Sequence, residues 1–128
     1  MPKTLHYARE IDAQRVDAAW GSLRWIAGGE TDNATGLTLG RVVIKAGHAN
    51  PRHCHTSCEE VLYLLAGRLE HTLGDDTHTL KAGDAITIPA GVFHNAAAVG
   101  DDDAEMIVVF SSAERDFVLE SGQPGSEA

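Results

Sequence analysis

The sequence is short of positive charge. Its 128 residues include 10 Lys and Arg against 19 Asp and Glu, which gives a net charge of −9. Proteins that bind phosphate backbones need cationic surfaces, so we expect no nucleic-acid partner. No apolar run approaches the roughly 18 residues that span a bilayer, and the N-terminus has no charged-then-apolar signal. We therefore expect a cytoplasmic protein with no membrane association.

Cysteine and aromatic residues are also scarce. The two cysteines are Cys54 and Cys58, and aromatic residues make up 5% of the chain. The cysteines would pair only in an oxidising compartment, which nothing else in the sequence indicates. Strand alternation points Cys54 away from the face shared by His53 and His55. This favours free thiols that pack or line the entrance to a site, with metal ligation and redox sensitivity as open alternatives.

The sequence lacks the motifs of nucleophilic catalysis and nucleotide binding. It does contain residues of the types that bind metal ions, and these lie close together in the sequence. There is no Gly-x-Ser-x-Gly, no P-loop and no dinucleotide fingerprint. His53 and His55 lie on one face of a strand, roughly 7 Å apart, and imidazole binds a metal ion at about 2.0–2.1 Å. Glu60 opens a β-rich run, and His94 follows a Pro-x-Gly turn at 89–91. The pattern predicts a metal site.

These residues resemble the two motifs of the cupin family, over roughly residues 36–112. The first motif is matched by Gly47, His53, His55, Glu60 and Gly67, and the second by Gly83, Pro89, Gly91 and His94. The resemblance implies that His53, His55, Glu60 and His94 hold one divalent ion. Glu59 is the alternative carboxylate, and we favour Glu60 because six residues separate it from Gly67. The family often has asparagine at the position of Ala98, which is not usually a metal ligand.

The resemblance implies an all-β fold, a cupin-type double-stranded β-helix or jelly-roll barrel. Short strand-like runs separated by turn residues agree with this fold, and they lie at 20–26, 37–44, 61–65, 68–73, 77–80, 85–88 and 106–111. Residues 11–20 are expected to hold a short helical turn or an arm. We divide this single domain into an N-terminal arm with the first strands (1–35), the barrel (36–115) and a C-terminal tail (116–128), disordered from residue 121.

The expected function is that of a metal-dependent enzyme acting on a small oxygenated metabolite. The resemblance implies dioxygenase, decarboxylase, isomerase or lyase chemistry, and the catalytic residues stay unassigned. A non-catalytic metal-bearing binding or sensor module is the alternative. Imidazole and carboxylate donors suit Fe, Mn, Co, Ni, Zn and Cu, so the ion's identity is open.

Two further expectations concern other histidines and the oligomeric state. His71 and His78 flank a hairpin turn at 74–76 and are expected to be solvated. The run 61–65 is apolar on both faces, although only one face of a barrel strand can face the core. The other face therefore needs a cover, either from residues 1–26 or from a second chain, and we expect a homodimer.

Overall fold

The computed structural model describes residues 6–121. A short 3-10 turn at Glu10–Asp12 comes first. Eleven β-strands follow within the described range: β1 Gln14–Ala18, β2 Gly21–Ala27, β3 Thr38–Ile44, β4 His53–Cys54, β5 Glu60–Ala66, β6 Arg68–Leu73, β7 Asp76–Lys81, β8 Ala85–Ile88, β9 His94–Ala98, β10 Ala104–Phe110 and β11 Val118–Leu119. No helix among the described residues is long and apolar enough to cross a membrane.

The strands form two antiparallel sheets. The six-stranded sheet has the order β1-β2-β3-β10-β5-β8, and the five-stranded sheet has the order β11-β4-β9-β6-β7. The sheets contribute to one core, in which Ile44, Leu64 and Leu69 are fully buried. The expected all-β jelly-roll architecture is confirmed.

Strand β5 shows how a continuous apolar run in the sequence forms a strand with one buried and one exposed face. Its residues alternate between buried and exposed positions, with Leu62 and Leu64 facing the core. The intervening apolar residues are 38–44% exposed, and these are Val61, Tyr63 and Leu65. Period-two alternation places one set of side chains inside and leaves the other without a cover among the described residues.

The N-terminal region differs from the expected helical turn or arm. Only Glu10–Asp12 is helical, and β1 pairs with β2 in a register that sets Gln14 opposite Trp25. Pairing with a neighbouring strand satisfies the backbone hydrogen-bonding groups of this segment, which local sequence patterns do not reveal. Both Trp20 and Trp25 are buried in the core.

The division into arm, barrel and tail stays a prediction. In the structure, β2 of the predicted arm pairs directly with β3 of the predicted barrel. Likewise β11, in the predicted tail, pairs with β4. The expectation of a disordered C-terminus concerns residues that lie, apart from Ser121, outside the described range.

Candidate metal centre

The four predicted ligand residues come from both sheets and meet at one end of the core. His53 opens β4 and pairs with His94, the first residue of β9. His55 lies just beyond β4, and Glu60 opens β5 in the opposite sheet. Residues 53–60 and the strand that begins at His94 are separated in sequence by the β6–β7 hairpin, and the packing of the two sheets brings them together.

The four side chains are buried and close to one another. One ring nitrogen from each of the three imidazoles lies within 4.8 Å of the others. Glu60 Oε1 lies 3.3 Å from His94 Nε2 and 3.5 Å from His55 Nε2. The exposed fractions of the four residues are 3–7%, whereas Glu59 is exposed.

Backbone carbonyls fix the orientation of all three imidazoles. Each Nδ1 lies within hydrogen-bond distance of a carbonyl oxygen: His53 to Pro51 at 2.7 Å, His94 to Val92 at 2.9 Å and His55 to Asp116 at 2.5 Å. A carbonyl oxygen only accepts, so each neutral ring carries its proton on Nδ1 and presents the Nε2 lone pair. Metal-bound histidines in proteins are held in the same way.

The residues fit a metal ion. Among the described residues, His55 Nε2, His94 Nε2 and Glu60 Oε1 are buried and have no hydrogen-bond partner. Ligand atoms about 2.1 Å from a shared cation lie roughly 3.0–3.5 Å apart, and Glu60 Oε1 lies 3.3 and 3.5 Å from the two imidazole nitrogens. Lone pairs that face each other without a proton are unfavourable in a buried site. A shared cation removes that cost and satisfies all three atoms.

Burial and mutual contact set the charge states of the cluster. Burial, and then the proximity of His94, lower the pKa of His53 from 6.5 to about 3. Burial alone would raise the pKa of Glu60, but in the metal-free cluster hydrogen bonds from the His55 and His94 rings, whose protons a bound cation would replace, lower it to about 2. At neutral pH, His53 is therefore neutral and Glu60 is ionised, the protonation states that metal binding requires.

The C-terminal segment supplies contacts that sequence reasoning missed. Phe117 stacks on the His53 ring with centroids 4.4 Å apart and 21° between the planes. Besides holding His55 through its carbonyl, Asp116 accepts hydrogen bonds from the backbone and hydroxyl groups of Thr56 and Ser57. Partial burial opposes ionisation, but these bonds lower the pKa of Asp116 to about 2. Asp116 and Phe117, at the start of the predicted tail, therefore form one wall of the cluster.

The expectation that His71 is solvated was wrong. This residue is 1% exposed, and its ring lies parallel to that of His94 with centroids 5.8 Å apart. Burial, and then His94, lower the pKa of His71 from 6.5 to about 4. The alternation of β6 places His71 on the same inner face as Leu69. That alternation was the available sequence signal.

Both cysteines are free thiols and both are buried. Burial raises the pKa values of Cys54 and Cys58, which disfavours the reactive thiolate form. In the part of the chain described, the group of potential metal-binding side chains contains neither cysteine. The preference for packed free thiols agrees with this placement.

The cluster opens into a small cavity with mostly apolar walls. About 50 Å³ of it can be reached by the centre of a water-sized sphere, which is room for roughly four water molecules. The wall residues Trp25, Arg115 and Phe117 also line a separate outer groove. The Arg115 guanidinium lies 3.9 Å from the Trp25 ring centroid. On the neighbouring strand Gly40 is required, because a Cβ there would lie 2.5 Å from the Trp25 ring.

Comparison with known proteins identifies relatives of the same sequence family. Residues 40–110 match the family described as "Cupin domain". Polyketide synthase CurC of Streptomyces cyaneus is 33% identical over 99 residues, covering 77% of this chain and 63% of that protein. Germin-like protein 3-8 of Oryza sativa subsp. japonica is 32% identical over 85 residues, covering 62% and 38%. The chain thus spans less than two thirds of the length of these relatives.

Solved structures share the fold. A mutant of the oxalate decarboxylase OxdC of Bacillus subtilis superposes with a TM-score of 0.80 at 18% identity, covering 88% of this chain and 31% of that one. KdgF from Halomonas sp. has a TM-score of 0.74 at 23% identity, with coverage of 88% and 97%. At these identities the likeness extends to the architecture alone, and it agrees with the two-sheet barrel described above.

Proposed function

The chain belongs to the cupin family, and from this premise we propose that it is a metal-dependent enzyme acting on a small oxygenated metabolite. The metabolite chelates one divalent transition-metal ion through vicinal oxygens. The proposed metal ligands are His53, His55, Glu60 and His94. One observation carries the proposal: buried imidazoles anchored through Nδ1 converge with a carboxylate whose Oε1 has no hydrogen-bond partner within the described chain.

The donor set supports a dioxygenase, decarboxylase, lyase or isomerase. A bound ion of this kind polarises a carbonyl or lowers the pKa of coordinated water. The protein supplies neutral imidazoles and one carboxylate, so a divalent ion keeps a net charge near +1 and attracts an anionic oxygen. Most of the cavity wall is apolar, so the attraction between the ion and an anionic oxygen is stronger there than in bulk water. Mn(II) centres are described for the oxalate decarboxylase of Bacillus subtilis, which supports Mn²⁺ as one candidate.

Metal analysis combined with turnover assays tests this function. The purified protein is expected to contain about one divalent transition-metal ion per chain, and activity is to be assayed with diketones, flavonols and small 2-oxo acids, with oxygen uptake as one readout. Metal-dependent turnover would support the enzyme. Tight metal and ligand binding without turnover would instead support the non-catalytic binding module. Absence of bound metal after reconstitution would contradict both.

Removing the metal is expected to destabilise the fold without abolishing it. A chain of this length has enough apolar core to fold alone, unlike a zinc finger. Treatment with a chelator should lower the melting temperature while the β-type circular dichroism spectrum persists at room temperature. The matched control is the same protein reloaded with Zn²⁺, which should regain the original melting temperature. Complete unfolding on chelation would contradict the prediction.

We further propose that the chain forms a homodimer through the outer face of the six-stranded sheet. The exposed strip Val61, Tyr63 and Leu65 continues into β10, where Ile107 pairs with Tyr63 and Val109 pairs with Val61. The first strands lie at the other edge of this sheet, in the order β1-β2-β3. The exposure of the strip means that no described segment covers it. A second copy would cover this strip symmetrically, as in most soluble oligomers.

Light scattering at micromolar concentration tests the dimer. The expected mass is about twice 13.6 kDa. Tyr63→Glu places a charge at the centre of the strip and should yield a monomer, because a buried unpaired charge is costly. The control is Tyr7→Glu, since Tyr7 is 77% exposed and lies outside the strip. A wild-type mass near 13.6 kDa would refute the dimer.

A further inference from the structure

A second space adjoins the cavity of the metal centre and is several times larger. The outer groove has a volume of about 370 Å³, compared with about 50 Å³ in the metal cavity. Small-molecule sites in proteins typically measure about 300–1,000 Å³. The cavity alone accommodates only the chelating end of a ligand, about five non-hydrogen atoms. A larger substrate therefore needs space beyond the cavity, and the outer groove provides it.

Hydrogen bonds between two loops fix the shape of the groove. Its walls include the loop after β2 and the loop after β10, and the Gly29 N–H donates to the Ala113 carbonyl oxygen at 2.9 Å. A Cβ on Gly29 would lie 2.8 Å from that oxygen, so the loops approach this closely because the residue is glycine. The Thr38 hydroxyl donates to the Ser112 carbonyl oxygen at 2.8 Å. The groove is thus preformed, which reduces the cost of ordering the loops when a ligand binds.

A wall one side chain thick separates the groove from the metal cavity, because Trp25, Arg115 and Phe117 line both spaces. Ring contacts hold two of these residues in place. The Trp25 ring centroid lies 6.1 Å from that of Phe110, and Phe117 stacks on His53. Arg115 instead reaches the wall through a long side chain with several rotatable bonds. A ligand that occupies both spaces therefore lies beside the Arg115 side chain.

The Arg115 guanidinium favours a flat, conjugated group as its neighbour. Its central carbon lies 3.9 Å from the Trp25 ring centroid and 5.3 Å from that of Phe110. These contacts hold the guanidinium in the wall as a planar cation. A planar cation stacks on electron-rich planar faces, and aromatic side chains in the same wall favour the same shape. A saturated ring of equal size has no π face and gains none of this stabilisation.

We propose that the outer groove binds the planar, conjugated body of a substrate whose oxygen-bearing end chelates the metal ion. Arg115 is the specificity-determining residue for this body. The inference rests on the proposed metal-dependent function and names its substrate class. Aromatic or extended conjugated compounds with two vicinal oxygens fit both spaces, whereas a chelating end alone leaves the groove to water.

Three hydroxamates with the same chelating end provide the probes: acetohydroxamate, benzohydroxamate and cyclohexanecarbohydroxamate. Binding is measured by calorimetry on the full chain loaded with Zn²⁺, which has no redox chemistry. Wild-type protein should bind benzohydroxamate about 10-fold more tightly than acetohydroxamate, because the ring leaves water. It should also prefer benzohydroxamate to the cyclohexane compound by about five-fold. Burial of apolar surface alone predicts the opposite order for the two rings, since the saturated ring has the larger apolar surface.

Two variants test the groove and its arginine separately. Ala113→Trp fills the groove at a residue that does not line the metal cavity, so both ring compounds should bind within about two-fold of acetohydroxamate. Arg115→Lys keeps the positive charge without the flat face, and it should abolish the preference between the two rings. The matched control is Ala82→Trp, which adds the same side chain at an exposed position outside the groove and should match the wild type with all three probes.

Zinc content and circular dichroism are measured for every variant, so that a folding defect is recognised. Tighter binding of the cyclohexane compound by the wild type would overturn the inference, as would unchanged preferences in Ala113→Trp and Arg115→Lys with normal zinc content. Light scattering of Ala113→Trp gives a further outcome: a fall from dimer to monomer would mean that a second copy occupies the groove, which also overturns the inference. A wild type that binds neither Zn²⁺ nor acetohydroxamate would instead overturn the proposed function.

Discussion

Glu60→Gln is expected to weaken divalent-metal binding more than about 100-fold, whereas Glu59→Gln should change it less than about two-fold. Glu60 is buried, with Oε1 3.3 Å from His94 Nε2, and Glu59 points into solvent. Glutamine keeps the shape but removes the negative charge that offsets the ion in a buried site. Loss of groups that merely orient ligands already costs about 10–100-fold, so loss of a charged ligand should cost more.

The experiment compares three variants with the wild type by competition against a chelator of known affinity. His94→Ala is included because its Nε2 faces the same carboxylate oxygen, and it should lose metal as severely as Glu60→Gln. Circular dichroism of the metal-free proteins verifies that each variant folds. If Glu59→Gln lost metal as severely as Glu60→Gln, the choice of Glu60 over Glu59 as the ligand would be wrong. Unchanged metal binding in all three variants would refute a metal site at these residues.

The fold and the composition of the cluster were accessible from sequence because their signals are local. Continuous apolar runs of strand length mark β5 and β10, and the turn Gly74-Asp75-Asp76 marks the β6–β7 hairpin. His53 and His55 share a face by strand periodicity. The choice of Glu60 over Glu59 rested on the six-residue spacing from Glu60 to Gly67, and adjacent strand residues point to opposite sides, so only one of the two carboxylates can face the cluster. The structure buries one of these carboxylates and exposes the other.

What sequence reasoning missed depends on contacts between distant segments. Asp116 and Phe117 approach the cluster because β11 pairs with β4, and a two-residue strand has no detectable period. Strand β1 was missed for a related reason, since its pairing with β2 overrides weak local preferences. His71 is different: the alternation from Leu69 indicated an inward position, but the nearby turn and the polarity of histidine favoured solvent. Polar residues that serve a site contradict the usual pattern of burial.

The metal-free protein is expected to lose about 4 kcal/mol of unfolding free energy between pH 7 and pH 5. His53 and His71 are buried, and their pKa values fall from 6.5 to about 3 and about 4, first through burial and then through His94. Between pH 6.5 and pH 4 the unfolded chain therefore holds up to one more proton at each residue than the folded chain. Each histidine then lowers stability by about 1.4 kcal/mol per pH unit as the pH falls.

Glu60 does not contribute in this range. Its pKa is lowered from 4.5 to about 2, so its stabilising effect is complete above pH 4.5 and is lost only in stronger acid. Urea unfolding of chelator-treated protein at pH 5, 6 and 7 measures the dependence. His71→Leu removes one of the two titrating groups and should halve the loss to about 2 kcal/mol. The control Leu69→Ala, on the same inner face, should lower stability by about 2–5 kcal/mol at every pH without changing the slope. A slope unaltered by His71→Leu would mean that protonation of His71 does not oppose folding.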